Sequence, residues 1–231
     1  MKILYFLTSA YISIFADGYY SQFGQDKFVN ETYFKGKTGG VFLEIGAYDG
    51  INISNTYFFE KNLGWTGVCV EPLPHVYAKL KNNRACYCLK GAISDYNGTA
   101  EFCYIENIPM CSGINNEYNP LHVNRIDREM IDAGGRKFYF NVNVYSFNEM
   151  MERYGLTHID FLSLDTEGGE DKILKSIDFK KYTIDVMTVE FNYGNNIEEF
   201  FHSNGYVKVN ELGCDCVFAR KAFLDSLGIS Y

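Results

Sequence analysis

The sequence has no clustered run of lysine and arginine, no C-x-x-C cysteine pair, no G-x-G-x-x-G, and no apolar stretch long enough to span a membrane. Each absence removes a class of function. Nucleic-acid and anionic-membrane partners require phosphates to be neutralised by basic side chains. Here 29 Asp and Glu outnumber 21 Lys and Arg, for a net charge of −8. The nearest basic groupings, Lys79, Lys81 and Arg84, and Lys180-Lys181, read as solvated helix or loop faces. Seven cysteines, an odd number without paired spacing, argue for a reducing compartment, so the cytoplasm is expected. Cys86-x-Cys88 and Cys214-x-Cys216 alternate as strand residues do and read as buried thiols rather than a zinc ribbon. His75, His122, His158 and His202 are the only histidines, and they form no evident triad.

What is present centres on Val41-Phe42-Leu43-Glu44-Ile45-Gly46-Ala47-Tyr48-Asp49-Gly50, followed by Val68-Cys69-Val70-Glu71-Pro72. An apolar strand passing into a glycine-rich turn, with a second strand ending in an acid, is the grammar of a nucleotide-cofactor site. Glu71 would accept hydrogen bonds from two ribose hydroxyls. The glycine spacing does not cradle a diphosphate, and Glu44 and Asp49 put negative charge around the turn. Such a turn suits a cofactor with an amine and a sulfonium, as in S-adenosylmethionine, and Glu-x-Gly-x-x-x-Gly resembles the first motif of Rossmann-like methyltransferases. The alternative is a structural β-to-α turn with no ligand.

Further motifs fall in order along the chain. They are Ser21-Gln22-Phe23-Gly24-Gln25-Asp26, Ser54-Asn55-Thr56, Gly64-Trp65-Thr66-Gly67, Gly91-Ala92-Ile93-Ser94-Asp95, Ser112-Gly113-Ile114, Ile159 to Glu170 and Met187-Thr188-Val189-Glu190. Together they resemble the FkbM-type family of S-adenosylmethionine-dependent O-methyltransferases, from about Ser21 to the C-terminus. The resemblance implies a Rossmann-like class I methyltransferase fold: a mainly parallel seven-stranded sheet with an antiparallel edge strand and helices on both faces. It also implies methyl transfer to a hydroxyl of a small molecule or glycan, with a sugar as first choice.

The chain reads as one α/β domain over 1–231, with an N-terminal element at 1–35. Lys2 and the stretch Ile3 to Ala16 have the make-up of a secretory leader, but Thr8, Ser9, Tyr11 and Ser13 interrupt it, so it is read as an element packed on the domain, with secretion as the alternative. Strands are expected at Val41 to Ile45, Gly67 to Glu71, Cys86 to Ile93, Ile159 to Leu164 and Asp185 to Phe191. Helices are expected around Ser54 to Lys61, His75 to Asn82 and Asp171 to Ile177, and a terminal hairpin at Tyr206 to Asn210 and Cys214 to Ala219. The least regular part, 94–145, is the candidate acceptor-binding insertion, with Met110 to Arg136 as its lid. A hairpin of Thr99 to Glu106 against Lys137 to Tyr145, extending the sheet, is the plainer reading of its ends.

Roles follow from chemistry and from the resemblance. Gly46 and Ala47 would approach the methionine and ribose, Glu44 and Asp49 the amine, and Glu71 the ribose; Ala92 and Ile93 would lie beside the adenine, with Ser94 bonding it or capping a turn. The family pattern adds Gln25, Asp26, Gly50, Asn55, Pro72 and Ser112 as cofactor contacts. Asp165 follows an apolar strand directly, so its carboxylate should enter the crevice at the carboxyl edge of the sheet, beside the cofactor. With Glu190 and Asn192 it could hold Mg²⁺ or another divalent cation. Without a metal, Asp165 or Glu167 could serve as general base, His122 is the histidine to test in that role, and Glu170 reads as a helix cap. An NAD-dependent oxidoreductase and a catalytically silent binding module are the rival functions. The sequence leaves the oligomeric state open, a homo-oligomer included.

Overall fold

A computed structural model describes residues 18–191 and 197–231. In chain order the elements are α1 (Gln25–Val29), running into a π-helical turn at Asn30–Phe34, then β1 (Val41–Ile45), α2 (Tyr57–Leu63), β2 (Thr66–Glu71), α3 (Pro74–Asn83), β3 (Tyr87–Lys90), β4 (Ala92–Ser94) and β5 (Gly98–Ile105). A single 3-10 turn (Pro109–Cys111) leads to β6 (Gly113–Ile114), α4 (Pro120–Asp132), β7 (Lys137–Ser146), α5 (Phe147–Arg153), β8 (His158–Leu164) and α6 (Glu170–Ser176). The chain closes with β9 (Thr183–Glu190), α7 (Glu198–Ser203), β10 (Tyr206–Leu212), β11 (Asp215–Arg220) and α8 (Lys221–Leu227).

Seven strands form one sheet in the order β3-β2-β1-β8-β9-β11-β10. The five from β3 to β9 are parallel, and β11 runs antiparallel to both of its neighbours. The antiparallel strand is therefore the penultimate one. The edge strand β10 enters from α7 in the same sense as β9, and the tight turn at Gly213 folds β11 back between them. The inner strands β2, β1, β8 and β9 are buried at nearly every position, as in a parallel sheet covered on both faces. Leu43, Ile45, Val68, Leu162, Leu164 and Met187 pack on one face with Phe147, Met150, Ile173 and Leu174 of α5 and α6. Phe42, Cys69, Phe161, Val186 and Val217 pack on the other with Val29, Phe59, Leu80 and Leu224 of α1, α2, α3 and α8.

The segment 94–145 is more regular than its sequence suggests. Thr99 to Ile105 pairs with Lys137 to Asn143, but in a separate four-stranded sheet of order β4-β7-β5-β6 rather than as an extension of the main one. The single strand expected over Cys86 to Ile93 divides at Gly91, giving β3 to the main sheet and β4 to the small one. Helix α4 forms about half of the expected lid, starting at a side-chain cap in which Asn119 accepts the Leu121 N–H. Residues 1–17, part of the expected N-terminal element, and Asn192 lie outside the described residues. All seven cysteines are free thiols. Among the described residues no helix is long and apolar enough to cross a membrane.

One ionic knot fastens the turn after β1. The Glu44 carboxylate, 3% exposed in mid-sheet, accepts from Ser54 Oγ at 2.9 Å, the Asn55 N–H at 2.8 Å, Thr56 Oγ1 at 2.7 Å and Arg84 Nη1 at 3.1 Å. Arg84 also donates to Thr56 Oγ1 and the Gly50 carbonyl and pairs with Glu60. Removing one member of a buried, hydrogen-bonded pair strands the other charge, at about 3–5 kcal/mol. Arg84→Met should lower the unfolding free energy by that order in denaturant titrations, and Arg84→Met with Glu44→Gln should recover part of the loss.

Candidate active site

A cleft of about 690 Å³ opens at the carboxyl edge of the main sheet, roofed by the four-stranded sheet and the loops of the insertion. Strand register dictates much of its chemistry. Cys69, Glu44, Ser163 and Thr188 are register partners in one row across β2, β1, β8 and β9. Two residues further on, by the strand period, come Glu71, Gly46, Asp165 and Glu190, and Glu190 is the partner of Asp215. Adjacent strand ends thus line up four carboxylates with a glycine among them.

Gly46 follows β1 directly, against the end of β8. Its φ is +85°, and a Cβ there would stand 1.8 Å from the Asp165 carbonyl oxygen, so no other residue fits. The N–H groups of Gly46 and Ala47 both go to the Val70 carbonyl, at 3.1 and 3.0 Å. Backbone N–H donation to a ligand is therefore not what these two residues offer. Gly46 borders the cleft by lacking a side chain, while Ala47 is buried in the opposite core.

Glu71 ends β2 in the cleft wall, its Oε1 accepting the Leu73 N–H at 2.8 Å. Burial pushes its carboxyl up to about 8, against the Leu73 and Tyr48 N–H groups that favour the charged form. Tyr48 lines the same wall with a left-handed backbone, φ +48°. Ala92 and Ile93 of β4, and Pro72 and Leu73, complete an apolar slot beside Glu71.

Across the cleft stand Asp165, Thr166 and Glu167. The Asp165 carboxyl is held well above the usual range by desolvation first, then by repulsion from Glu190, Glu167, Asp215 and Glu170. Its side chain is open to the cleft, so water relieves the first cause and leaves the crowding. Glu190 is likewise held high by burial and by Glu167, Glu170 and Asp215, against Arg125. Glu167, at φ +62°, is pushed up to about 8 by burial, with Arg125 opposing. Its Oε2 lies 2.5 Å from His122 Nε2 and 3.7 Å from Arg125 Nη2, both from α4. Burial and Arg125 push His122 down to about 4. Glu170 opens α6 and braces the loop, its Oε1 accepting from Thr166 N and Oγ1 and from Gly168 N.

Of the expected cofactor contacts, Gly46, Glu71, Pro72, Ala92, Ile93, Ser112 and Asp165 border the cleft, and the rest do not. Glu44 is tied into the Arg84 knot rather than offered to a ligand amine. Asp49 accepts from Ile51 N and from Asn52 N and Nδ2, closing its own turn, and Gly50 abuts Leu80 and Arg84. Asn55 donates from its side chain to Ser163 Oγ, and Ser94 Oγ donates to Glu117. Asp26 caps the N-terminal segment by accepting from Tyr20 N, Ser21 N and Ser21 Oγ, while Gln25 Nε2 donates to Asp215. Sequence reading passed over Tyr48, Ile53, Phe102, Met110, Ile114 and Glu117, which line the cleft. Phe102, Met110 and Ile114 are apolar residues whose role depends on the insertion folding back over the sheet. The expected cation ligands Asp165 and Glu190 do converge, with Glu170 as third neighbour, their oxygens lying within 4.8 Å of one another; Asn192, the other expected ligand, lies outside the described residues.

Residues 44–208 match the family described as the methyltransferase FkbM domain. The chain belongs to this family. The matched region contains every residue that borders the cleft, whereas Gln25 and Asp26 precede it. No curated protein matches the sequence. Among solved structures, a methyltransferase from Pyrococcus furiosus is similar at 13% identity and a TM-score of 0.40, over 84% of this chain and 80% of that one. The METTL16 methyltransferase domain is similar at 10% identity and a TM-score of 0.44, over 85% of this chain and 66% of that one.

The displaced carboxyls of this FkbM domain make its stability depend on pH. Glu71 and Glu167, at about 8 when folded against an ordinary 4.5, hold protons that the unfolded chain releases. Their contribution is full below 4.5 and lost as pH rises through 8. His122, lowered from 6.5 to about 4, works the opposite way, but only below 6.5. Unfolding free energy should therefore fall from about pH 6.5 to 8, and Glu71→Gln should flatten that slope by up to about 1 kcal/mol per pH unit. A wild-type curve that rises over this interval would contradict the assignment.

Proposed function

We propose that this FkbM-family domain transfers the methyl group of S-adenosylmethionine to a hydroxyl oxygen, with a sugar as the acceptor. The observation that carries the reading is Glu71, a cleft-facing carboxyl at the end of β2, bordered by the Ala92-Ile93 slot and by side-chain-free Gly46. Two ribose hydroxyls fit a carboxylate so placed, and an adenine fits the apolar slot beside it. The carboxylates of Asp165 and Glu167 complement a cofactor that carries an amine and a sulfonium. When bound, the sulfonium supplies an electrophilic methyl whose C–S bond breaks as the acceptor oxygen attacks. The protein's part is to hold the acceptor in line and take its proton. Asp165 and Glu167 stand where that proton leaves, and crowding at Asp165 and burial at Glu167 keep both basic enough to accept it. Polyol hydroxyls are matched by Glu117, Thr166 and Asp165, and Tyr48 and Phe102 offer ring surfaces to the C–H faces of a sugar. A cytoplasmic setting is part of the proposal, supported by the seven free thiols.

Hydrogen bonds from ribose favour the ionised form of Glu71, so binding near neutral pH should release a proton. Calorimetry in buffers of different ionisation enthalpy should register that release. Glu71→Ala should abolish it and weaken S-adenosylmethionine binding by roughly 10- to 100-fold, as expected for hydrogen bonds to a charged group. A folded wild type that binds neither S-adenosylmethionine nor S-adenosylhomocysteine would leave a non-catalytic module instead.

A divalent cation is a second reading, favoured by the convergence of Asp165, Glu170 and Glu190 oxygens. Hard cations take such donors, and one held there would polarise the acceptor hydroxyl. With one Glu170 oxygen already engaged by Thr166 and Gly168, Asp165 and Glu190 would carry most of the coordination. Mn²⁺ titrated against the protein should give saturable relaxation enhancement that Glu190→Gln abolishes; an unsaturable response would remove the cation from the scheme.

A further inference from the structure

Glu167 combines features that a mere loop residue does not need together. It adopts the left-handed backbone without being glycine, φ +62°, a conformation that concentrates at functional positions. It borders the cleft, yet one of its oxygens lies 2.5 Å from Nε2 of His122, which does not border the cleft. His122 is 3% exposed and comes from the first turn of α4, whose start is set by Asn119 and Pro120. The Tyr118 ring stacks on the imidazole at 5.8 Å and 15°, and its hydroxyl is anchored on the Cys111 carbonyl at 2.9 Å. The imidazole therefore has a defined plane. Arg125 is a poorer holder of the carboxylate, since it is more exposed, stands 3.7 Å away and is shared with Glu129. Asp165, Glu170 and Glu190 are further charged neighbours of this pair.

We propose that His122 is a positioning residue for methyl transfer: its Nε2 fixes one oxygen of Glu167 so that the other is presented to the cleft to take the acceptor's proton. The role rests on the methyl-transfer reading above. In the step, the acceptor oxygen forms a bond to the methyl carbon, the C–S electron pair goes to sulfur, and the hydroxyl proton goes to Glu167. His122 touches neither the acceptor nor the cofactor. It shortens the search of a carboxylate that would otherwise sample several rotamers. The insertion thereby supplies through α4 a part of the catalytic arrangement that the main sheet lacks.

Three variants and one spectrum test this role. The best acceptor of a methyl-glycoside panel is used at saturating S-adenosylmethionine. Glu167→Gln should lower kcat by on the order of 100-fold or more. His122→Ala should lower it roughly 10- to 100-fold with S-adenosylmethionine affinity unchanged by calorimetry, and His122→Gln, which keeps an N–H donor near the same place, should recover most of that loss. The ¹⁵N shifts of the His122 imidazole should move in Glu167→Gln at constant pH. Full activity in His122→Ala, equal loss in the Ala and Gln variants, or ¹⁵N shifts indifferent to Glu167→Gln would overturn the positioning role alone. A wild type that does not bind S-adenosylmethionine would overturn the methyl-transfer reading and this role with it.

Discussion

Everything in the site descends from the point where β1 and β8 run side by side to their ends. From β1 the chain moves one way to β2 and β3, and it later returns to β8 and moves the other way to β9. No crossover helix can cover the strand ends at such a reversal, so a crevice opens there. The closeness of the two strands then forces glycine at position 46, because the Asp165 carbonyl already occupies the place of a Cβ. The missing side chain is a packing necessity first, and the open floor of the cleft is its consequence.

The second constraint is charge. Parallel register sets Glu71, Asp165, Glu190 and Asp215 along one edge, with Glu167 and Glu170 on the loop that follows β8. Cations near them are few: Arg125 is shared with Glu129, and Gln25 offers Asp215 a neutral donor. An uncompensated set of carboxylates in a half-buried cleft keeps protons it would lose in water. A cationic ligand would relieve that crowding, so the free energy stored in repulsion becomes available to binding. Glu44 shows the contrast one row below: Arg84 and three further donors satisfy it, and it is structural.

The main sheet was legible because apolar strands buried on both faces leave a strong mark: β1, β2, β8 and β9 stand within one or two residues of their expected bounds. Glu71 and Asp165 were legible for a related reason, since an acid at the end of an apolar strand has only the sheet edge to occupy. Glu44 shows where that logic stops, because its neighbour in space, Arg84, is 40 residues away and no spacing rule joins them. Helix α4 was readable in principle from Asn119-Pro120 and the apolar positions Val123, Ile126 and Met130. The surrounding prolines and glycines hid it behind the pattern of an irregular lid. The division of one expected strand at Gly91 was not readable, since both halves keep strand character and only the partners change.

The insertion is more than a cover. Gly168, at φ +136°, brings the loop after β8 so near the insertion that a Cβ would lie 2.7 Å from the Glu117 carbonyl, and at Gly169 it would lie as close to the Glu117 carboxylate. The loop carrying Thr166 and Glu167 is thus clamped between the sheet edge on one side and residues 112–122 on the other. Its two faces answer to different demands. The sheet side fixes Asp165 through the Ile45 carbonyl, which accepts the Asp165 N–H at 3.0 Å. The insertion side brings His122 to within 2.5 Å of Glu167 and lines the opposite wall with Met110, Ser112 and Ile114. A change in the insertion therefore moves that wall and the carboxylate facing it together, while the Glu71 wall, built from β2 and the turn after it, stays as the sheet made it.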